Sequence, residues 1–221
     1  MAEAVLVYGK SGTGKSTSLE NFAEDEIFLI NVIGKRLPFR KNFKYVKVTD
    51  DADKIKNAMA KCPDYIKVIV IDDAGYLMTN QFMRGHSGDK SGGNTFDLFN
   101  SIADAFWSLL NFIKTLPEDK VVYLTMHEDT NDYGERRLRT IGKLLNEKVC
   151  IEGMCSVVLR SEVMGGKYTF VTQNEGADIS KSPKGMFEDI RIPNDLKAVD
   201  TAIREYWGLT PSTNTTEKET K

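Results

Sequence analysis

The strongest constraint on the fold is a short glycine-rich segment between an apolar run and an amphipathic run. Gly9–Ser16 reads GKSGTGKS and fits the pattern G-x-x-x-x-G-K-[ST] at every fixed position. Ala4–Tyr8 before it is apolar and rich in β-branched residues. Lys15–Ala23 after it carries Leu19 and Phe22 on one helical face. We therefore predict a strand, a tight loop and a helix, the order in which α/β proteins build a phosphate-binding loop.

Each residue type in this loop suits a nucleotide polyphosphate. Glycines allow successive backbone N–H groups to turn toward phosphate oxygens. The ammonium group of Lys15 suits the β- and γ-phosphates, and the hydroxyl of Ser16 suits a magnesium ion. The alternative is a glycine-rich turn that binds nothing. The sequence thus predicts ATP and Mg²⁺ as cofactors, with these nucleotide-contacting residues: Gly9, Lys10, Ser11, Gly12, Thr13, Gly14, Lys15, Ser16 and Thr17.

Apolar and amphipathic runs alternate along most of the chain. Further strands are predicted at Ile27–Val32, Tyr45–Val48, Ile66–Ile71 and Val121–Met126, with a hairpin formed by Val157–Arg160 and Tyr168–Thr172. Helices are predicted at Asp51–Lys61, Phe96–Leu116 and Ile141–Asn146, and from an N-cap at Asn194 to Tyr206, with polar loops at Thr79–Thr95 and Glu128–Arg139. This order predicts an α/β, three-layer fold whose mostly parallel sheet has an antiparallel hairpin at one edge.

Composition indicates one globular unit. The 221 residues are 41% hydrophobic and 28% charged, with a net charge of −2, so we predict one domain over residues 1–208 and a disordered polar tail over 209–221. Three cysteines and two histidines lack the spacing of a zinc site. No signal peptide or membrane-length apolar run is visible, so we expect a cytoplasmic protein without a membrane partner.

Polar side chains follow two of the predicted strands. Asp72 and Asp73 end an apolar strand, where ligands of open α/β sheets collect. We expect Asp72 to hold magnesium through water and Asp73 either to polarise the attacking water or to cap the following turn. His127 and Glu128 follow the next strand, and either side chain could sense the γ-phosphate or orient water. The predicted catalytic residues are therefore Lys15, Asp73, His127 and Glu128.

These motifs resemble the core of RecA-like and AAA-type P-loop NTPases. The resemblance covers about residues 4–208. It rests on the loop Gly9–Ser16, the strand Val68–Asp73, the strand end Thr125–Glu128 and the closing hairpin. The segments Ile30–Val32, Leu37–Phe39 and Ile203–Trp207 make the chain similar to small phage-encoded ATP-binding proteins, some of which are RecA-like single-strand annealing proteins. The resemblance implies a RecA-like ATPase in the cytoplasm, which is the host's if the chain is phage-encoded.

The resemblance also implies partners. Relatives bind ATP between neighbouring subunits and carry single-stranded DNA on loops that correspond to Thr79–Thr95 and Asp129–Lys143 here. A basic residue of one subunit can reach the γ-phosphate of the next, and Lys181 and Lys184 are candidates, with a solvated lysine pair as the alternative. A single-strand-binding or replication protein is a further expected partner. One departure is that Asn31 stands in the strand end where RecA recombinases place a catalytic glutamate.

Two basic segments contrast with the nearly neutral chain. The first interleaves basic residues with Phe39, Phe43 and Tyr45, and no acidic residue lies between Glu26 and Asp50. Cations that neutralise phosphates beside rings that stack bases suit single-stranded DNA, although the same rings could simply be packed. The predicted DNA-binding residues are Lys35, Arg36, Arg40, Lys41, Arg136, Arg137, Arg139 and Lys143.

Three functions follow from these patterns. The leading hypothesis is an ATP- and Mg²⁺-dependent ATPase that assembles on single-stranded DNA in recombination, annealing or replication. The second is a small-molecule kinase with Thr79–Thr95 as its lid, although that segment offers only Arg84 to a transferring phosphate. The third is a binding module or loader for which ATP is an assembly switch, and the absent glutamate beside Asn31 favours it.

Overall fold

The apolar runs form the strands of one mixed sheet. A computed structural model describes residues 1–86, 95–142 and 144–212 of the chain. The strands are β1 Glu3–Gly9, β2 Ile27–Asn31, β3 Tyr45–Val48, β4 Val68–Asp72, β5 Val121–Thr130, β6 Arg136–Leu138, β7 Val157–Met164, β8 Lys167–Val171 and β9 Arg191–Pro193. The helices are α1 Ala52–Ala60, α2 Gly75–Gly85, α3 Thr95–Ile113 and α4 Leu196–Trp207.

The sheet is parallel at its centre and antiparallel at one edge. Its order is β3-β2-β4-β5-β1-β7-β8-β9, and β6 pairs with the end of β5. The pairs from β3 to β7 are parallel, whereas β8 and β9 are antiparallel. Met164 pairs with Lys167 across the Gly165-Gly166 turn, so β7 and β8 form the predicted hairpin. The predicted fold class is therefore confirmed.

Two apolar cores make the fold three-layered. Leu6 and Tyr8 of β1 face a core that includes residues of α1, α2 and α3. Val5 and Val7 face the opposite core, to which α4 and the segment around Phe43 contribute. This alternation follows from the period of two in a strand, which sends successive side chains to opposite faces.

The register brings the ends of several strands together. Asn31 of β2 pairs with Asp72 of β4, and Gly9 of β1 pairs with His127 of β5. All four strands run in the same direction, so their carboxyl ends lie at one edge of the sheet. This edge carries the phosphate-binding loop and the polar strand ends that the sequence singled out.

The predicted helix over Lys15–Ala23 is wrong. Only a 3₁₀ turn, Thr17–Leu19, follows the loop. The three consecutive hydroxyl residues from Ser16 compete with the backbone for hydrogen bonds, and the Ser18 hydroxyl donates to the carbonyl of Lys15 at 2.6 Å. Leu19 is nevertheless fully buried. The spacing of apolar residues therefore predicted the burial of Leu19 correctly, although the helix that it also predicted does not form.

Other boundaries also differ from the sequence predictions. The predicted loop Thr79–Thr95 begins within α2, because Leu77 and Met78 are buried and hold that helix to the core; residues 87–94 lie outside the described part. The predicted polar loop Glu128–Arg139 is largely the β5–β6 pair, since antiparallel backbone pairing does not require apolar side chains. A π-helical turn, Leu145–Val149, replaces the predicted helix Ile141–Asn146.

The N-cap of the last helix lies one residue later than predicted, and the helix ends at Trp207 instead of Tyr206. Asp195 is the N-cap instead of Asn194, because its carboxylate accepts hydrogen bonds from the backbone N–H groups of Lys197 and Ala198. Gly208 follows the end of α4 with a φ of 65°, a conformation that glycine adopts readily. Beyond it, the carbonyl of Thr210 accepts a hydrogen bond from Arg204, and Ser212 donates to Glu26. The domain boundary at 208 stays a prediction, and residues 213–221 lie outside the described part.

Among the described residues, none of the helices has the length and apolar character needed to cross a membrane.

Candidate functional site

The phosphate-binding loop requires glycine for conformation and for space. Gly12 and Gly14 have φ angles of 80° and 93°, a region that side chains disfavour. A Cβ atom at Gly14 would lie 2.7 Å from Oδ1 of Asn194 and 2.9 Å from the ring of Tyr168. Strand β8 and the start of α4 therefore lie directly against the loop. Nothing in the residue pattern indicated these two neighbours.

A hydroxyl pair ties the loop to strand β7. Oγ1 of Thr13 lies 2.6 Å from Oγ of Ser161, and it also donates to the carbonyl of Lys10 at 2.8 Å. Ser161 donates in turn to the carbonyl of Tyr8 at 3.2 Å. Sequence reasoning missed Ser161, and only its position as a buried serine beside β1 reveals the role. The contacts hold the loop in a curved shape.

Lys15 is buried within the loop. Its Nζ donates to the carbonyls of Gly9 and Lys10, both at 2.8 Å, and only 6% of the residue is exposed. Burial lowers the pKa of Lys15 to about 8, although the nearby carboxylates of Asp73 and Asp72 oppose this effect. A buried ammonium that is held by backbone carbonyls has its orientation set before a phosphate binds.

A cleft of about 170 Å³ opens beside Lys15. Its walls come from the loop, from the segment after β2 and from the ends of β4 and β5. The lining residues are Ser11, Gly12, Gly14, Lys15, Ser16, Thr17, Lys35, Arg36, Pro38, Asp73 and His127. The cleft therefore unites most of the predicted nucleotide residues with three of the four predicted catalytic residues, Lys15, Asp73 and His127.

Oxygen groups suited to magnesium meet at one end of the cleft. The Ser16 hydroxyl donates to Asp72 at 2.9 Å (Oδ1) and 3.0 Å (Oδ2), and the Thr125 hydroxyl donates to Oδ1 at 2.8 Å. Asp72 is fully buried, and burial, followed by the charge of Asp73, raises its pKa. Magnesium favours a carboxylate and a hydroxyl together with substrate phosphates, so these residues fit the predicted metal.

Asp73 joins a cluster of charged groups beside this end of the cleft. It is 2% exposed and adopts a φ of 59°, and its backbone N–H donates to Oγ1 of Thr125 at 2.7 Å. Its Oδ2 is ion-paired with Nζ of Lys35, and its Oδ1 lies 3.6 Å from Nε2 of His127. Both carboxylate oxygens therefore face a basic group.

Asn31 holds Lys35 in this position. The side-chain amide of Asn31 donates to the carbonyl of Lys35 at 2.7 Å, and its Oδ1 accepts the backbone N–H of Gly34 at 2.8 Å. Gly34 has a φ of 74°, which allows the tight turn. In the sequence, Asn31 stands where a catalytic glutamate was expected. In the structure, its side chain holds the turn that places Lys35 beside Asp73.

His127 and Glu128 lie at the same edge of the sheet. Burial, followed by the charge of Lys15, lowers the pKa of His127, and the edge of the His127 ring faces Tyr76 at 5.8 Å between centroids. Glu128 is 7% exposed, and its charge acts on Lys15 in the direction that raises the pKa of that lysine. Their proposed role toward water stays a prediction.

The first basic segment borders a second, larger cavity of about 810 Å³. Arg36, Arg40 and Lys41 line it, together with Phe39 and Phe43. Phe43 is buried and the two rings make an edge-to-face contact at 6.2 Å, so these aromatics pack mainly against the protein. Lys41 donates to the carbonyl of Phe22 at 2.7 Å. The exposed cations of this cavity are the two arginines and Lys35, which is ion-paired with Asp73.

The second basic segment begins in strand β6, which contains Arg136 and Arg137. Arg137 makes an ion pair with Asp129 at 3.4 Å, and the backbone of Arg136 bonds to Ala177. Arg139 is exposed, and its charge contributes to the lowered pKa of His127. Lys143 lies outside the described residues.

Lys181 and Lys184 do not line the cleft beside the phosphate-binding loop. The backbone of Lys181 pairs with Val158 of β7, and its charge acts on the buried thiol of Cys155. Lys184 is exposed, and its carbonyl accepts a hydrogen bond from Tyr206 at 3.2 Å. Their predicted action on a neighbouring subunit stays a prediction.

Comparison with known proteins gives one family match. The model AAA_24, described as an AAA domain, matches residues 1–183. No curated protein matches the sequence at a significant level.

Similar solved structures include a prototypical ATPase from the type III secretion system of pathogenic bacteria, with a TM-score of 0.40 and 16% identity over 72% of this chain. They also include the ATPase EscN of enteropathogenic E. coli, solved with its stalk EscO, with the same TM-score, identity and coverage of this chain. This chain spans 50% of the length of the first and 42% of the second.

Proposed function

Because the chain belongs to the AAA domain family and is a P-loop NTPase, we propose that it binds ATP with Mg²⁺ and hydrolyses it while acting on single-stranded DNA. The observation that carries the ATPase proposal is the set of contacts around Asp72. Ser16 and Thr125 both donate to this carboxylate at the end of the cleft that Lys15 lines. Lys15, which suits a phosphate, and Ser16, whose hydroxyl contacts the buried Asp72, thus line one cleft.

Different residues of the site have different roles in the proposed ATP hydrolysis. Lys15 and the loop N–H groups bind the phosphates, and Ser16 and Asp72 hold the metal, directly or through water. Magnesium supplies charge neutralisation on the phosphates when it is bound. Asp73, His127 and Glu128 are the candidates to orient the attacking water, because Asp73 directly follows β4 and the other two lie in the last four residues of β5.

The DNA part of the proposal is supported by charge and position. Arg36 and Arg40 are exposed in the 810 Å³ cavity, and Lys35 lines both this cavity and the nucleotide cleft. Cations in such a groove neutralise the phosphates of a single strand. The shared lysine offers a physical link between DNA and ATP turnover. Recombination, annealing or replication is the process we propose, with self-association at the nucleotide interface.

One observation favours a second candidate, an ATP-switched binding module with little turnover. Both oxygens of Asp73 face basic groups, so in this arrangement Lys35 and His127 occupy the positions from which an attacking water would contact this carboxylate. The kinase alternative loses support, because Arg84, the arginine of its supposed lid, is ion-paired with Asp50 at 2.5 Å.

The deciding experiment is an ATPase assay with and without single-stranded DNA at low salt. We expect Mg²⁺-dependent turnover that DNA stimulates and that Lys15→Ala abolishes. Lys61→Ala is the matched control, because Lys61 is exposed just after α1, at the sheet edge opposite the cleft. Turnover that DNA does not change would argue against the DNA role. ATP binding without turnover in either condition would select the binding module.

A further inference from the structure

Lys35 lies at the junction of two cavities. It lines the 170 Å³ cleft at the phosphate-binding loop and also the 810 Å³ basic cavity. Its side chain is 46% exposed, whereas its partner Asp73 is 2% exposed. Lys35 therefore presents a cation from the buried cluster into the nucleotide cleft.

The ammonium group of Lys35 can serve more than one acceptor. A lysine has three N–H donors, and the ion pair with Asp73 engages one side of the group. Burial works against the charge, but the hydrogen bond from Lys35 to Asp73 and the charge of Asp73 raise the pKa of Lys35. Lys35 consequently stays protonated at neutral pH and can donate to Asp73 and to a phosphate oxygen together.

Lys35 is also electrostatically close to the catalytic candidates. Its charge contributes to the lowered pKa of Lys15 and to that of His127. Three basic groups thus surround the carboxylates of Asp72 and Asp73 at one end of the cleft. A terminal phosphate that enters the cleft would meet the ammonium groups of Lys15 and Lys35, both of which line it, and a charge in such a site requires partners of opposite sign.

We propose that Lys35 is a second phosphate-binding cation, which contacts the terminal phosphate of a bound nucleoside triphosphate while it remains ion-paired with Asp73. Asn31 is its positioning residue, through the hydrogen bond to the carbonyl of Lys35. This inference rests on the proposed ATP site. It assigns the contact with the terminal phosphate to Lys35 of the same chain, whereas the family resemblance implied a basic residue of a neighbouring subunit for this contact.

The positions of the residues that would hold the metal indicate that Lys35 contacts the terminal phosphate and not the others. Lys15 belongs to the loop, and Ser16 with Asp72 would hold a magnesium ion that neutralises charge on the substrate phosphates. Asp73 and His127 lie next to these residues in the same cleft, and the proposal places the terminal phosphate beside them. A diphosphate would lack the group that Lys35 contacts. Lys35 should therefore distinguish ATP from ADP.

The test compares ATP and ADP binding without DNA. Titrations use fluorescently labelled ATPγS and ADP with Mg²⁺ on wild type, Lys35→Met, Lys35→Arg and the control Lys61→Met. We expect Lys35→Met to weaken ATPγS binding about 10- to 100-fold, as for the removal of a charged hydrogen bond. ADP binding should change less than about twofold, and Lys35→Arg should retain part of the preference because it keeps the charge.

The outcomes separate the inference from the function on which it rests. Equal weakening of both nucleotides, or of neither, by Lys35→Met would overturn the role of Lys35 while the ATP site stands. Wild-type protein that binds neither nucleotide would overturn the proposed function and this inference together. Loss of the preference for ATPγS over ADP in Lys61→Met would also contradict the inference, because the effect of Lys35→Met would then reflect the loss of one positive charge anywhere on the protein.

Asn31 is tested through a double-mutant cycle. We expect Asn31→Ala to lose the same preference for ATPγS, and to add nothing further in the Lys35→Met background. Asn31→Asp retains the acceptor for Gly34 but lacks the donor to Lys35, so it provides a second variant if the alanine protein does not fold. Additive effects, or equal loss of ADP binding, would show a merely structural role for Asn31.

Discussion

The hydroxyl of Ser16 donates to both carboxylate oxygens of Asp72, at 2.9 and 3.0 Å. The two residues come from the phosphate-binding loop and from the end of β4, so this hydrogen bond joins the nucleotide and metal parts of the site. Thr125 fixes the same carboxylate from the neighbouring strand β5. Substitutions at this carboxylate should therefore act first on the metal.

Replacement of Asp72 should weaken magnesium binding. Asp72→Asn keeps the size of the side chain and its ability to accept from Ser16 and Thr125, but it removes the charge that attracts the metal. For a carboxylate that holds a metal through water, we expect the Mg²⁺ concentration for half-maximal turnover to rise about 10- to 100-fold. A magnesium titration of ATPase activity measures this shift. Asp53→Asn, on the exposed first turn of α1, should leave the titration unchanged.

ATP affinity should decrease as the pH rises through about 8. The pKa of Lys15 is lowered from 10.5 to about 8, so the side chain is charged below that value and loses its charge above it. A neutral amine attracts phosphates less. Equilibrium titrations with ATP between pH 6.5 and 9.5 measure the profile. In Lys15→Arg, whose side chain stays protonated throughout this range, the pH-dependent decrease should disappear; an unchanged profile would assign it to another group.

Removal of the two exposed arginines of the larger cavity should weaken DNA binding. The double substitution Arg36→Ala/Arg40→Ala should lower affinity for single-stranded DNA and reduce the dependence of log K on log salt by about 0.7 for each DNA phosphate that is no longer neutralised. Fluorescence anisotropy at several salt concentrations gives both values. Lys61→Ala should match wild type in both. An unchanged salt slope in the double variant would place the DNA elsewhere.

Gly14→Ala should destabilise the fold through crowding as well as backbone strain. Gly14 has a φ of 93°, and an added Cβ would lie 2.7 Å from Asn194. Gly134 has a similar φ of 82° with no neighbour within 4 Å of such a Cβ. We expect Gly134→Ala to cost about 1–2 kcal/mol from the backbone and Gly14→Ala about 1–3 kcal/mol more from overpacking. Urea unfolding measures both, and equal losses of stability would exclude a crowding effect.

The loop and the main strands could be predicted because their signals are local. The pattern over Gly9–Ser16 specifies residue types at adjacent positions, and a continuous apolar run such as Val68–Ile71 requires burial on both faces of a sheet. The helix after the loop was mispredicted for the opposite reason. Leu19 and Phe22 have helical spacing, but burial against the α4 side of the sheet required only one 3₁₀ turn.

The sequence by itself determined the phosphate-binding loop, the parallel α/β class and the two acidic residues at the end of β4. Only the tertiary structure decided the neighbours of those residues. From the sequence, Lys35 was interpreted as one cation of a basic segment, and Asn31 as a residue that stands where a carboxylate was expected. The order of residues does not show the turn in which Asn31 contacts Lys35. The register of β2 against β4 and the side-chain amide of Asn31 bring Lys35 to Asp73. Such contacts depend on distances across strands, which residue spacing does not encode.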